Sequence, residues 1–210
     1  MREASFPSKP GARHALPVYR GPEGHAILDA SDHPFLSRSF MDLLLVILRF
    51  VHVVGGMLWV GIAVFIAFYL VPAITDVGPD GARVMAALQR RGIMNVLPML
   101  AVATLISGSW IYWIRSRGLK AAYVATPTGA VFGVGGLVAL AAFVLGITIT
   151  RPSMLRAVTI MPSLPSLPAG ERERQMVLAN ELRARGALFS RVIAWMLLFA
   201  ALCMAVARYL

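Results

Sequence analysis

Residues 43–71, LLLVILRFVHVVGGMLWVGIAVFIAFYLV, form a run of 29 residues without one acidic side chain, and Pro72 follows it. A hydrocarbon layer about 30 Å thick needs roughly 20 apolar residues of α-helix, so this run crosses it with length to spare and predicts a tilted or projecting span. Three further runs pass the same test, at about residues 93–114, 128–150 and 188–209. The composition agrees: 58% of the 210 residues are hydrophobic and 14% charged, against about 45–50% and about a quarter in globular domains. The expected fold is therefore all-α, a polytopic four-transmembrane-helix bundle with an extended N-terminal tail and both termini on one side. A disulfide scaffold, a coiled-coil or collagenous rod and a wholly disordered chain are excluded. The lone Cys203 has no intrachain partner to pair with.

The formal charge of +10 would suggest nucleic acid in a soluble chain. Here the arginines flank the apolar runs, so anionic lipid headgroups or acidic partner loops are the expected counter-charges, and no nucleic-acid partner is expected. Residues 1–41 carry Pro7, Pro10, Pro17, Pro22 and Pro34 among scattered charges and show no apolar period. Such a segment cannot bury enough surface to fold alone, and it lacks the apolar stretch of a signal peptide. It reads as a tail held by a partner surface, although Met41 would also serve as a chain start. Orientation stays open, because nine cationic residues fall on each side of the spans and the positive-inside rule returns a tie.

The third loop has structure of its own. A proline-punctuated stretch gives way at Glu171 to a helix signal over about residues 170–186, with Glu171 and Glu173 in the first turn and Arg183 and Arg185 in the last, each sign complementing the helix dipole. This helix is expected to stand outside the membrane and to run on into the fourth span.

The first run also holds the one histidine inside a span. Steps of three and four place Arg49, His52, Gly55 or Gly56 and Trp59 on one helical face. The glycines remove bulk one turn beyond His52, so a flat ring could lie there, with His52 as axial ligand to haem iron, Arg49 reaching a propionate and Trp59 packing on the macrocycle. An intramembrane ionisable group is a functional candidate because burying it without a partner is costly. The alternative is a neutral histidine that hydrogen-bonds across a helix interface while the glycines seat a neighbouring helix. The second axial ligand is the weak point: His14, His25 and His33 all lie in the tail, which would have to fold back, and Met57, Met94 or Met99 could ligate but in so apolar a chain read as filler.

In the second run, Thr104, Ser107 and Gly108 share a face suited to close helix contact, Pro98 predicts a kink, and Trp110, Tyr112 and Trp113 before Arg115 form an interfacial aromatic belt. The third run carries Gly129, Gly133, Gly135, Ala139, Ala142 and Gly146 as a small-residue stripe for packing against other helices. No HExxH, CxxC, Walker or GxGxxG motif occurs, no acidic residue lies inside a span, and no inverted repeat is detectable.

RFVHVVGGMLWVG (residues 49–61) resembles the first-helix pattern R-x-x-H-x-x-x-G-x-x-W-x-G of a loose superfamily of small bacterial membrane proteins. Its members include the copper-resistance protein D family, the membrane domain of urate-oxidase-like proteins and the HemJ-type protoporphyrinogen oxidases. ATLISGSWIYW (residues 103–113) is similar to their second-helix pattern. The resemblance covers roughly residues 42–210 and implies a bacterial inner-membrane, multi-pass protein. HemJ-type proteins pair the histidine with a lysine around haem; His52 matches the first, while Lys9 and Lys120 both lie outside the spans. Two functions are therefore expected. One is a non-catalytic accessory or structural subunit of a larger membrane assembly, a respiratory or photosynthetic electron-transfer complex, that meets other subunits through its small-residue faces, tail and third loop. The other is a haem b redox protein, or HemJ-like oxidase, built on Arg49, His52, Gly55, Gly56 and Trp59.

Overall fold

The computed structural model describes residues 34–210, which are almost wholly helical and contain no strand. Helix α1 (Pro34–Phe65) passes through a π-helical turn, Ile66–Leu70, directly into α2 (Val71–Asp76). A tight turn, Gly78–Asp80, leads to the short amphipathic α3 (Gly81–Arg90). Gly92, at φ 83°, then turns the chain into α4 (Ile93–Arg115) through a left-handed conformation that favours glycine. After α5 (Ala121–Val124), helix α6 (Pro127–Leu145) starts at Thr126, whose hydroxyl accepts the Gly129 N–H at 3.0 Å, with Pro127 in the first turn. A second π-helical turn, Gly146–Thr150, carries α6 into α7 (Arg151–Ile160). The 3₁₀ segment Met161–Ser166 reverses the chain, and α8 (Ala169–Val206) returns through the bundle.

Four continuous helices, Ser39–Asp76, Ile93–Arg115, Pro127–Ser166 and Ala169–Tyr209, are long and apolar enough to cross a membrane. The structure thus matches the expected four-span, all-α architecture of a multi-pass membrane protein. Residues 1–33 lie outside the described residues, and with them most of the expected tail and three of its histidines.

Several expected boundaries move. Residues 34–41, read as tail, already belong to α1. Pro72 does not end the first span, nor does residue 150 end the third. In each case the chain widens into a π turn, the residue after it bonds five residues back (Val71 N–H to Ile66 O, Arg151 N–H to Gly146 O), and a proline takes the next place. The prolines, Pro72 and Pro152, then occupy the first turn of α2 and α7, where a missing N–H costs little. The helix signal over 170–186 does run on into the span at 188–209: both are α8, whose 38 residues extend about 57 Å. Pro98 sits inside α4 without breaking it.

The bundle is two hairpins, α1 on α4 and α6 on α8, joined by contacts of α1 with α8 and of α4 with α6. Their first helices match one another. At a constant offset of 80 residues, Val54, Gly55, Gly56 and Pro72 coincide with Val134, Gly135, Gly136 and Pro152, and the two π turns coincide as well. Gly55 takes the side chain of Thr104, and Gly135 takes Cys203, each across the seam of its own hairpin. The match is direct and is carried by the first helix of each hairpin.

All four helices meet at Trp59, Ala63, Ala101, Ala142, Ile193 and Leu197. Four of these six are alanine or the single tryptophan that fills the space small residues leave, so the backbones approach closely. Large apolar side chains such as Phe50, Met57, Leu137 and Leu202 point outward. Such an exterior suits lipid and would aggregate in water.

Candidate functional site

The sequence-predicted site residues occupy the seam between α1 and α4. The half-buried His52 donates its Nδ1–H to the main-chain carbonyl of Thr104 at 2.9 Å, which fixes the ring as the Nδ1–H tautomer and leaves the lone pair of Nε2 free. The ring lies against Gly108: a methyl placed there would sit 2.7 Å from Nδ1. Ser107 sends its hydroxyl back to Ala103 O at 2.6 Å and Thr104 O at 3.1 Å, so a carbonyl inside the span serves two side-chain donors.

Gly55 and Gly56 open no groove. The Thr104 side chain fills the space beside both, its Oγ1 at 2.9 Å from a Cβ position on Gly55 and its Cγ2 at 3.5 Å from one on Gly56. Arg49 is exposed, whereas Trp59 is buried at the four-helix junction. The five residues thus share a helix but not a cradle: two seat α4, one is tied to it, one faces outward and one is in the core. As arranged, they do not fit a haem macrocycle between α1 and α4. Among the described residues there is no group of three or more His, Cys, Asp or Glu side chains disposed to hold a metal.

The small-residue stripes, expected to serve neighbouring subunits, are largely consumed within the chain. Gly129 closes on Tyr123 and Thr126, Gly133 faces the Tyr112 hydroxyl, and Gly135 lies against α8. Tyr112 also donates to Gly129 O at 3.0 Å, tying α4 to α6. The physical reason is close approach inside the bundle: Gly55 and Gly56 seat Thr104 of α4, and Gly135 seats Cys203 of α8. Gly61 and Gly136 remain open, with nothing within 4 Å of a Cβ.

Two features escaped sequence reasoning. At the opposite end of the bundle from His52, the helices part around an apolar cavity of about 140 Å³, bounded by Trp59, Leu97, Ala142 and Phe143 and flanked by Met85 and Leu88 of α3. Arg151 lies at its edge and donates from Nη2 to Asn95 Oδ1 at 3.1 Å. The only prior signal was a threonine and an arginine placed just before Pro152.

The second is the hairpin of α7 and the first half of α8. Prolines at 162, 165 and 168 match the three-residue turn of a 3₁₀ helix, and the donors they lack are replaced by one side chain. Arg172 donates from Nε to Leu164 O at 3.0 Å and from Nη2 to Pro165 O at 3.2 Å and Leu167 O at 3.1 Å. Gly186 lets Met154 lie against α8. Arg156 and Arg185 line one hollow of about 170 Å³ between the two helices, and no acidic side chain shares it.

No protein-family model, curated protein or solved structure matches the chain.

Proposed function

We propose that the chain is a non-catalytic integral membrane subunit of a larger membrane assembly. The observation that carries this reading is the packed α7–α8 hairpin, which continues two spans and offers the Arg156 and Arg185 hollow to an acidic loop. One ion pair, Arg83 with Asp80 at 3.5 Å, is found among the described residues, so the hairpin's cations are left for an external counter-charge. The use of His52, Gly55 and Thr104 to hold α1 to α4 supports a scaffold in the same way. An electron-transfer complex, respiratory or photosynthetic, is the setting we infer, because the resemblance of residues 49–61 lies with haem-linked and redox-linked membrane proteins.

The test is the native mass of the tagged chain extracted from its own membranes in mild detergent. A mass well above the monomer, reduced to the monomer by Arg156→Glu with Arg185→Glu, supports the proposal; a wild-type monomer contradicts it.

A haem b protein is the second reading, favoured by one observation. A histidine whose Nδ1–H is anchored on a backbone carbonyl presents Nε2 in the manner of a metal ligand. It requires α1 and α4 to part from the arrangement described above.

A further inference from the structure

Thr75, Ser107, Thr148 and Thr159 each return their hydroxyl to the carbonyl four residues back, as helical hydroxyls in an apolar setting do. Thr150 does not. It closes the π turn, where Gly146 O is taken by the N–H of Arg151, and its buried Oγ1 has no partner. This hydroxyl belongs to a residue lining the apolar cavity, next to Arg151. An orphaned buried donor is costly unless something accepts from it.

Arg151 has donors to spare. It gives one N–H to Asn95, makes no ion pair among the described residues, and is the one charged side chain among those that line the cavity. The cavity edge is thus rich in donors and positive, while the interior is apolar. Its volume, about 140 Å³, is close to that of an engineered apolar cavity elsewhere that holds benzene. One chain end or one six-membered ring fits; a porphyrin does not.

We propose that the cavity between the two hairpins binds an anionic amphiphile, its chain end against Trp59 and Ala142 and its oxyanion head on Arg151, Asn95 and the Thr150 hydroxyl. The charge decides the class, because a neutral ring leaves the arginine uncompensated. The oxyanion belongs either to a membrane phospholipid or to a free fatty acid, and the two sources are separable.

Trp59 is the reporter. In the full-length chain with Trp110→Phe, Trp113→Phe and Trp195→Phe, in nonionic detergent at mildly alkaline pH, ω-bromododecanoate is titrated against its emission. Saturable quenching is expected, with little from the neutral ω-bromododecanol. Thr150→Val removes only the unpartnered hydroxyl and is expected to weaken binding about tenfold; Arg151→Gln is expected to weaken it at least as much. In phosphatidylcholine nanodiscs doped with tail-brominated phosphatidylglycerol, quenching assigns the phospholipid source, and its absence there assigns the free acid. The proposal is overturned if quenching does not saturate, if the alcohol binds as well as the acid, if a neutral benzoquinone displaces the acid at equal concentration, or if Thr150→Val, with unchanged thermal stability, binds as the parent does.

Discussion

The imidazole of His52 lies so close over Gly108 that the helix opposite has no room for a β-carbon, while Nδ1–H reaches Thr104 O at 2.9 Å. Glycine and histidine therefore act as one unit. Gly108→Ala is expected to push the ring off its acceptor and destabilise the bundle by about 1–3 kcal/mol, whereas Gly136→Ala, with open space beside it, is expected to be neutral. Thermal unfolding in detergent, followed by loss of monodispersity, measures both. In the double variant with His52→Ala the cost of the alanine should largely vanish, a coupling that a mutant cycle reads directly.

Thr104 presents the opposite case. Its Oγ1 is buried without a partner, while its methyl packs beside Gly56. Thr104→Val keeps the shape and removes the orphaned donor, so the variant should be more stable than the parent, by about 1 kcal/mol. A loss of stability in the same unfolding assay would show that the hydroxyl has a partner.

Arg172 holds together a turn that its prolines leave short of donors. Replacing it with alanine should open residues 161–168 to hydrogen exchange and speed trypsin cleavage at Arg174, with the spans unaffected. Lysine should not rescue it, because an ammonium cannot reproduce the planar fork that reaches three carbonyls.

Gly186 sets the hairpin's closeness. A β-carbon there would meet the flexible end of Met154 at 2.7 Å, so Gly186→Ala should be tolerated. Gly186→Leu should part α7 from α8 and expose Arg183 and Arg185 to trypsin. Native mass would then fall along with hairpin integrity if the hairpin is the docking element.

The four spans were legible because length and hydropathy alone specify them, and α8 announced itself through Glu171, Glu173, Arg183 and Arg185. The π turns were not. In an unbroken apolar run such as residues 62–71, one extra residue per turn changes no polar landmark, so the period slips silently and Pro72 looks like a terminus. The duplicated Gly-Gly and proline spacing was present in the sequence, but a search for inverted symmetry does not find a direct repeat. For the site, shared helical phase correctly grouped His52 with Gly55 and Thr104 with Gly108. What phase within one helix cannot reveal is which neighbour fills the space beside a glycine, and here that neighbour was Thr104.

His52 holds the seam between α1 and α4, and the visible spectrum of the purified chain is the sharpest test of whether it does anything more. A seam role alone gives no Soret or α band in the reduced-minus-oxidised difference spectrum, and a His52→Ala variant altered in stability alone. A b-type band in the wild type that disappears in His52→Ala would contradict it and place haem at this histidine.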